Sequence, residues 1–170
     1  INVCTLSTIM ALRLKMSNKQ IHNIAMGAIL HDIGLRYINV PYVNVSENKM
    51  TNKDAVEYKK HTIFGYSSLQ DEEWLPDVAK EIILFHHERI DGSGYPFQHK
   101  GDRLKPEVKL VSICDDFDSM ISGIGSEKMK IYEAIEYIKD VVIVRTDTDN
   151  CFKILRLSCC IPCRLYSLHK

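Results

Sequence analysis

The chain has 170 residues, 45% of them hydrophobic, with 22 basic side chains against 22 acidic ones, which describes a single compact globular domain. Zero formal charge excludes the basic excess of a protein that binds polymeric nucleic acid. No apolar run approaches the ~18 residues of a membrane span and no signal peptide opens the sequence, so the expected setting is the cytoplasm, away from membranes. In chain order, apolar positions at Val3, Leu6, Ile9, Met10, Leu12 and Leu14 predict a helix over 3–16. Ser17 with Gln20 forms a capping box for a second helix, carried by Ile21, Ile24, Ala25, Ala28 and Ile29 and ending near Gly34. Residues 35–50 read as irregular around Pro41. Thr51 with Asp54 starts a helix to about Leu69, and Pro76 fits the first turn of one that reaches His86-His87. Gly92, Gly94, Pro96 and Gly101 make 89–105 a loop. Pro106 opens a helix through Met120, and Ser126 precedes a last one marked by Ile131, Ala134, Ile135 and Ile138. The β-branched run 141–144 fits a short strand or a helix end. The whole reads as an all-α bundle of about six or seven helices.

The last thirty residues differ in kind. Residues 1–140 hold 17 basic and 20 acidic side chains, whereas 141–170 hold 5 and 2, four of the six cysteines and no glycine. Cys159, Cys160 and Cys163 have a metal-like spacing, but only Cys151 and His169 are on hand to complete a four-ligand zinc site. An atypical terminal segment is the expectation. Cys4 and Cys114 stand in apolar surroundings as small buried hydrophobes, and the lack of a paired framework suits a reducing compartment. The chain opens on Ile1 rather than Met, which suggests a piece of a longer protein.

Chemistry is carried by polar residues that do not belong in a bundle core. His31-Asp32 ends one predicted helix, His61 lies on the next, His86-His87 ends the one after, and Asp115 and Asp118 share a face of the following helix. Imidazoles and carboxylates without thiolates suit Fe, Mn, Zn or Ni, and a bundle interior presents such ligands from several directions. Taken singly, each histidine is more often structural, and His31 suits a helix C-terminus for its dipole alone. His22, the run Asp71-Glu72-Glu73 and Lys59-Lys60 read as solvated, with Lys59-Lys60 also able to meet a phosphate, His99 as part of the polar loop, and Trp74 as packing a loop onto the bundle.

In order, His31-Asp32-Ile33-Gly34, His61, His86-His87-Glu88, Asp91-Gly92-Ser93-Gly94-Tyr95-Pro96 and Cys114-Asp115-Asp116-Phe117-Asp118 resemble the HD-GYP family, a subset of the HD-domain metal-dependent phosphohydrolases. The resemblance covers residues 1–140 and sets 141–170 apart. It implies an HD-type helical fold around a two- or three-metal centre of iron or manganese, with zinc or nickel as alternatives. It also implies hydrolysis of cyclic di-GMP, or a related phosphoester, to pGpG or GMP by a metal-bridged hydroxide. By the same resemblance His31, Asp32 and Asp115 serve one metal, and Asp32, His61, His86 and His87 serve the other, with Asp32 bridging. Asp118 either orients a ligand or pairs at the bundle surface. The loop with Gly94, Tyr95 and Pro96 either lines the substrate mouth, where a protein partner can also dock, or is a structural turn.

Three departures accompany the match. The family carries a histidine, and in trinuclear members a glutamate, ahead of the first helix, upstream of this chain's start. It reads HDIGK where this chain has Leu35, with Arg36 adjacent but aimed elsewhere on a regular backbone. It follows the last Asp motif with R-P-Y-R/K, where this chain has Gly123-Ile124-Gly125-Ser126-Glu127 and no basic residue before Lys128. Each missing charge-assisted hydrogen bond to phosphate is worth roughly 1.5–3 kcal/mol. Three readings follow: a metal-dependent phosphodiesterase; a degenerate module that binds metal and protein partners without useful turnover; and a structural bundle that binds no metal.

Overall fold

The computed structural model describes residues 2–99 and 103–137. Six α-helices carry the fold: α1 (Asn2–Arg13), α2 (Asn18–Leu30), α3 (Asn52–Lys59), α4 (His61–Leu69), α5 (Asp77–Phe85) and α6 (Pro106–Ser122). Short 3-10 turns at Ile33–Tyr37 and Glu47–Lys49 add to them, and residues 131–137 are also helical. No strand is present among the described residues, and an isolated bridge pairs Val43 with Ile124. The all-α expectation therefore holds. The run 141–144, the Cys-rich segment 141–170 and the far end of the last predicted helix lie outside the described residues.

Several boundaries move for local reasons. The first helix ends at Arg13 rather than at 16, because Lys15 turns left-handed (φ 55°) and Met16 N–H closes back on the Ala11 carbonyl, the hydrogen-bond pattern of a Schellman end. The Ser17–Gln20 capping box is present in both directions. α2 stops at Leu30, and the chain tightens into the Ile33–Tyr37 turn beside Gly34. The single helix expected over 51–69 is two. At Lys60 the backbone N–H bonds the Glu57 carbonyl, a three-residue closure, and α4 starts afresh at His61. Pro76 caps α5 from outside rather than sitting in its first turn. α6 has Pro106 in its first turn and ends at left-handed Gly123 (φ 82°), as its sequence signals require.

α2, α5 and α6 form the frame of the site, with α1 packed on α2 and α6. Met10, Ile24, Ala28, Ile82, Val108, Leu110 and Val111 are buried in one cluster across these four helices. On the other side of α5, Leu75, Ala79 and Ile83 are buried with Met26, Leu30, Tyr66 and Leu69 packed against them, which seats α4. Each wholly buried Ile or Leu contributes about 1.5–3 kcal/mol, so the helices are held by packing, not by intrinsic propensity. Cys114 is buried and Cys4 half-buried, both free thiols. Trp74, expected to pin a loop, is instead 55% exposed and donates its indole N–H to Glu72 at 2.6 Å. His22 faces solvent as expected, whereas His99 packs on Phe85 at 5.1 Å. No helix among the described residues is long and apolar enough to cross a membrane.

Candidate metal centre

Three histidines are placed by one repeated device. His31 caps the end of α2, and its Nδ1 lies 2.8 Å from the Ala28 carbonyl three residues back. His61 Nδ1 lies 2.7 Å from the Tyr58 carbonyl, also three back, where the break between α3 and α4 opens the hydrogen-bond ladder. His86 caps α5, with Nδ1 3.0 Å from the Ile83 carbonyl and 3.2 Å from that of Ile82. Helix ends leave carbonyls without intrahelical donors. A carbonyl only accepts, so each Nδ1 carries a hydrogen, and Nε2 is a lone pair wherever the ring is neutral. That second hydrogen bond is also what orients a metal-ligating imidazole.

The three Nε2 atoms converge on Asp32. Its Oδ1 lies 3.6 Å from His61 Nε2 and 3.8 Å from His86 Nε2, while its Oδ2 lies 3.3 Å from His31 Nε2. Asp115, buried in the middle of α6, places Oδ1 3.2 Å from His31 Nε2 and Oδ2 3.9 Å from His87 Nδ1. Two groups of donor atoms result, each within 4.8 Å: Asp32, His61, His86 and His87, and His31, Asp32 and Asp115. Asp32 is the member they share, with one carboxylate oxygen toward each. Together these groups contain His31, Asp32, His61, His86, His87 and Asp115, the residues that the resemblance assigns to metals. Asp118 stands outside both, one turn along α6 and against the Asn2 side chain; burial raises its carboxyl pKa while that hydrogen bond opposes the rise. A third cluster joins His87 and Asp115 to Asp116, but Asp116 already receives the Arg89 guanidinium.

The electrostatics split the centre. Burial lowers the pKa values of His61, His86 (to about 4) and His87, the positive neighbours of His86 and His87 adding to the effect, so all three are neutral at pH 7. His31 is the exception. Burial opposes its charge as well, but the carboxylates of Asp32 and Asp115 outweigh this and raise its pKa well above the usual value. For Asp32 the balance is the same in mirror image: burial works against ionisation, and His31 with His86 and His61 more than overcomes it, keeping the carboxyl far down.

The glycine-bearing loop closes one side. Tyr95 stacks on His87, ring centroids 4.7 Å apart and 27° between planes, and lies edge-on to His61 at 6.2 Å. Its N–H donates to the His87 carbonyl at 3.1 Å. A side chain at Gly94 has no room, since a Cβ there would lie 2.4 Å from the His87 carbonyl oxygen and 2.5 Å from Arg89 N. Pro96 follows through a cis peptide bond. Buried Glu88, quoted in the motif without a role, accepts from Phe97 N at 2.6 Å and His99 N at 2.9 Å and so ties the loop to the end of α5. Glu88→Ala is expected to cost about 2 kcal/mol, because two partly buried amides lose a charged acceptor, with Glu88→Gln intermediate; the urea midpoints of the two variants measure it. Wild-type stability in Glu88→Ala would refute the clamp.

Two further residues were passed over by the sequence reading. Tyr58 is buried with its ring 5.1 Å from His61, so one residue supplies both a carbonyl and a wall to that histidine. A tyrosine three positions ahead of His61 was the available signal. Arg89 donates to the His86 and Glu88 carbonyls, to Ser112 Oγ at 2.6 Å and to Asp116, locking the end of α5 to the face of α6 that carries Asp115. Nothing in the linear sequence joins Arg89 to Ser112.

The sequence matches the HD domain over residues 2–149, and the chain belongs to the HD-domain family. Within it, the chain is 28% identical over 120 residues to the cyclic di-GMP phosphodiesterase PA4108 of Pseudomonas aeruginosa, covering 71% of this chain and 29% of that protein. It is 34% identical over 117 residues to the cyclic di-GMP phosphodiesterase response regulator RpfG of Xanthomonas campestris pv. campestris, covering 68% and 30%. The solved structure of Bd1817, an HDG"Y"P protein from Bdellovibrio bacteriovorus, superposes with a TM-score of 0.76 at 26% identity, covering 92% of this chain and 50% of that one. The HD-GYP resemblance carried by the motifs therefore holds at the level of fold and family. The chain spans less than a third of the length of either curated relative.

Proposed function

We propose that this domain is a divalent-metal-dependent phosphodiesterase acting on cyclic di-GMP or a closely related phosphodiester, with two iron or manganese ions held by the two donor groups. One observation carries the metal site: His61 Nε2 and His86 Nε2 face each other at 3.4 Å, each with its hydrogen committed to the opposite ring nitrogen. Two lone pairs at that distance are suited to sharing a cation. Burial holds both imidazoles neutral, so a proton is not that cation at pH 7, whereas a divalent ion flanked by Asp32 is. When bound, such ions lower the pKa of water and neutralise charge that develops on phosphoryl oxygens. The work of the chain is to hold His61, His86, His87 and Asp32 on one side and His31, Asp32 and Asp115 on the other, on rigid helix ends. Tyr95 and Tyr58 wall off water from the side of His61. The curated relatives named as cyclic di-GMP phosphodiesterases support the substrate class. The test is elemental analysis of protein purified without chelator, followed by cyclic di-GMP hydrolysis. About two metals per chain with turnover is expected, and zero metal would sink the reading.

A second reading, a metal-binding module without useful turnover, is favoured by one observation. Leu35 stands where the family has a lysine, and the adjacent Arg36 guanidinium lies over its neighbour Tyr37 at 5.4 Å rather than at the metal centre. Full metal content with no hydrolysis would select this reading.

The charge on His31 gives a separate prediction. Its raised pKa keeps Nε2 protonated in the metal-free chain near neutral pH, and a metal at that nitrogen must displace the proton. Metal affinity at the His31–Asp32–Asp115 group is therefore expected to rise by about tenfold per pH unit until His31 deprotonates, and then to level off. Titration calorimetry of manganese in buffers of different ionisation enthalpy reads the released proton directly. Uptake without proton release at pH 6–7 would contradict the assigned state.

A further inference from the structure

The centre described above is built to hold cations, yet a phosphodiester also needs a positive group in the protein to hold the oxygens that the metals do not reach. Five of the described cations are engaged elsewhere. Arg89 is committed to Asp116, Ser112 and two carbonyls, Arg36 lies over Tyr37, Lys60 turns to Glu57 at 2.8 Å, Lys105 to Glu81 at 2.8 Å, and Lys49 to Glu127. Lys59 differs. It ends α3, two residues ahead of His61, and its Nζ lies 5.3 Å from the centroid of the Tyr95 ring, the same ring that stacks on His87 at 4.7 Å. The ammonium is thus one aromatic ring away from the donor cluster, 39% exposed and open to a ligand from solvent.

Its partner is the second observation. Lys59 Nζ lies 2.6 Å from Glu47 Oε1, on the Glu47–Lys49 turn, with the glutamate side chain 35% exposed. Half-exposed ion pairs contribute little to stability, so the pair exchanges partners readily. A phosphate oxygen arriving at the rim offers Lys59 a charge-assisted bond equivalent to the one it has with the carboxylate. Glu47, in contrast, meets an anionic substrate only with repulsion.

We propose that Lys59 is the substrate-phosphate-binding cation of this domain and that Glu47 is the competing anion it releases when substrate binds. The assignment rests on the phosphodiesterase reading and adds to it a specificity device: an acidic lock that a phosphodiester displaces from a lysine held over Tyr95. It separates Lys59 from Lys60, which the sequence treats as equivalent.

The experiment measures metal content and the equilibrium dissociation constant for cyclic di-GMP in the manganese-loaded full chain and in Lys59→Met, Lys60→Met and Glu47→Gln. Lys59→Met is expected to weaken binding roughly tenfold or more, the loss of one charge-assisted hydrogen bond, with metal content unchanged. Glu47→Gln is expected to tighten binding several-fold, because the repelling charge is gone and Lys59 is no longer engaged by a carboxylate. Lys60→Met is the control and stays at the wild-type value. Equal affinity in wild type and Lys59→Met, weaker binding in Glu47→Gln, or a wild-type chain that holds metal but not the nucleotide would each overturn the assignment. A wild-type chain that holds no metal overturns the phosphodiesterase reading and this assignment with it, so the metal measurement tells the two failures apart.

Discussion

Asp32→Ala is expected to abolish metal binding at both donor groups and to reduce hydrolysis of cyclic di-GMP by at least about a thousandfold, on the order of 4 kcal/mol of transition-state stabilisation. The size follows from the position of its two oxygens. Oδ1 is the only carboxylate atom facing the His61–His86 pair in its donor group, and Oδ2 supplies one of the two carboxylates facing His31. Removing either histidine of a pair costs one group one ligand; removing Asp32 costs each group a ligand and strips the anionic charge that makes a cation welcome beside His61 and His86. The metal-free fold should suffer less, because His31 keeps Asp115 as a partner at 3.2 Å. The diagnostic pattern is therefore a large loss of bound metal and turnover with a modest change in the chelated protein's urea midpoint. Wild-type protein stripped with EDTA should lose the stabilisation that bound ligand confers, whereas chelator should not shift the melting temperature of Asp32→Ala. The solvent-facing His22→Ala variant should match wild type in metal content and rate. Retained two-metal stoichiometry in Asp32→Ala would remove the shared-carboxylate centre.

What the sequence shows and what it hides divide along a physical line. His31, Asp32, His61, His86, His87 and Asp115 are legible because histidines and carboxylates at the ends of apolar segments violate the pattern of a core, and their order matches a family motif. The orientation of the rings is not legible. It depends on where helices stop, and the decisive stop at Lys60 lies in a stretch with no proline or glycine between Thr51 and Phe64 to announce it. Without that break His61 would sit mid-helix and the Tyr58 carbonyl would be bound within the ladder. Glu88 and Arg89 illustrate the same limit. Their neighbours His86 and His87 carry the chemical signal, but the partners that give these two a role, Phe97, His99, Ser112 and Asp116, are 9 to 27 residues away. Lys59 and Lys60 are indistinguishable as letters and become different only when one lies over Tyr95 and the other turns to Glu57.

Gly34→Ala is expected to cost about 3 kcal/mol or more and to lose metal from the His61–His86–His87 group, although Gly34 is no ligand. A Cβ at this position would lie 1.8 Å from the carbonyl oxygen of His61 and 2.7 Å from the backbone nitrogen of Gly65. Both obstacles are backbone, so no side-chain rotation relieves them, and α4 must move away from the Ile33–Tyr37 turn by on the order of 1–2 Å to reach ordinary contact distances. That movement has two consequences. It opens the packing of Ile83, Tyr66 and Leu69 that seats α4 on α5, which is the overpacking penalty of a filled core. It also carries His61 away from Asp32 Oδ1, now 3.6 Å distant, and a displacement of about 1 Å in a site that depends on near-contact geometry can cost a hundredfold in rate. The glycine after His31-Asp32-Ile33 thus does its work on the partner helix: only a residue without a side chain lets the turn that bears Asp32 touch the first turn of the helix that bears His61. Urea unfolding together with metal analysis of Gly34→Ala tests both consequences, and wild-type stability with full metal content would show that this close approach is dispensable.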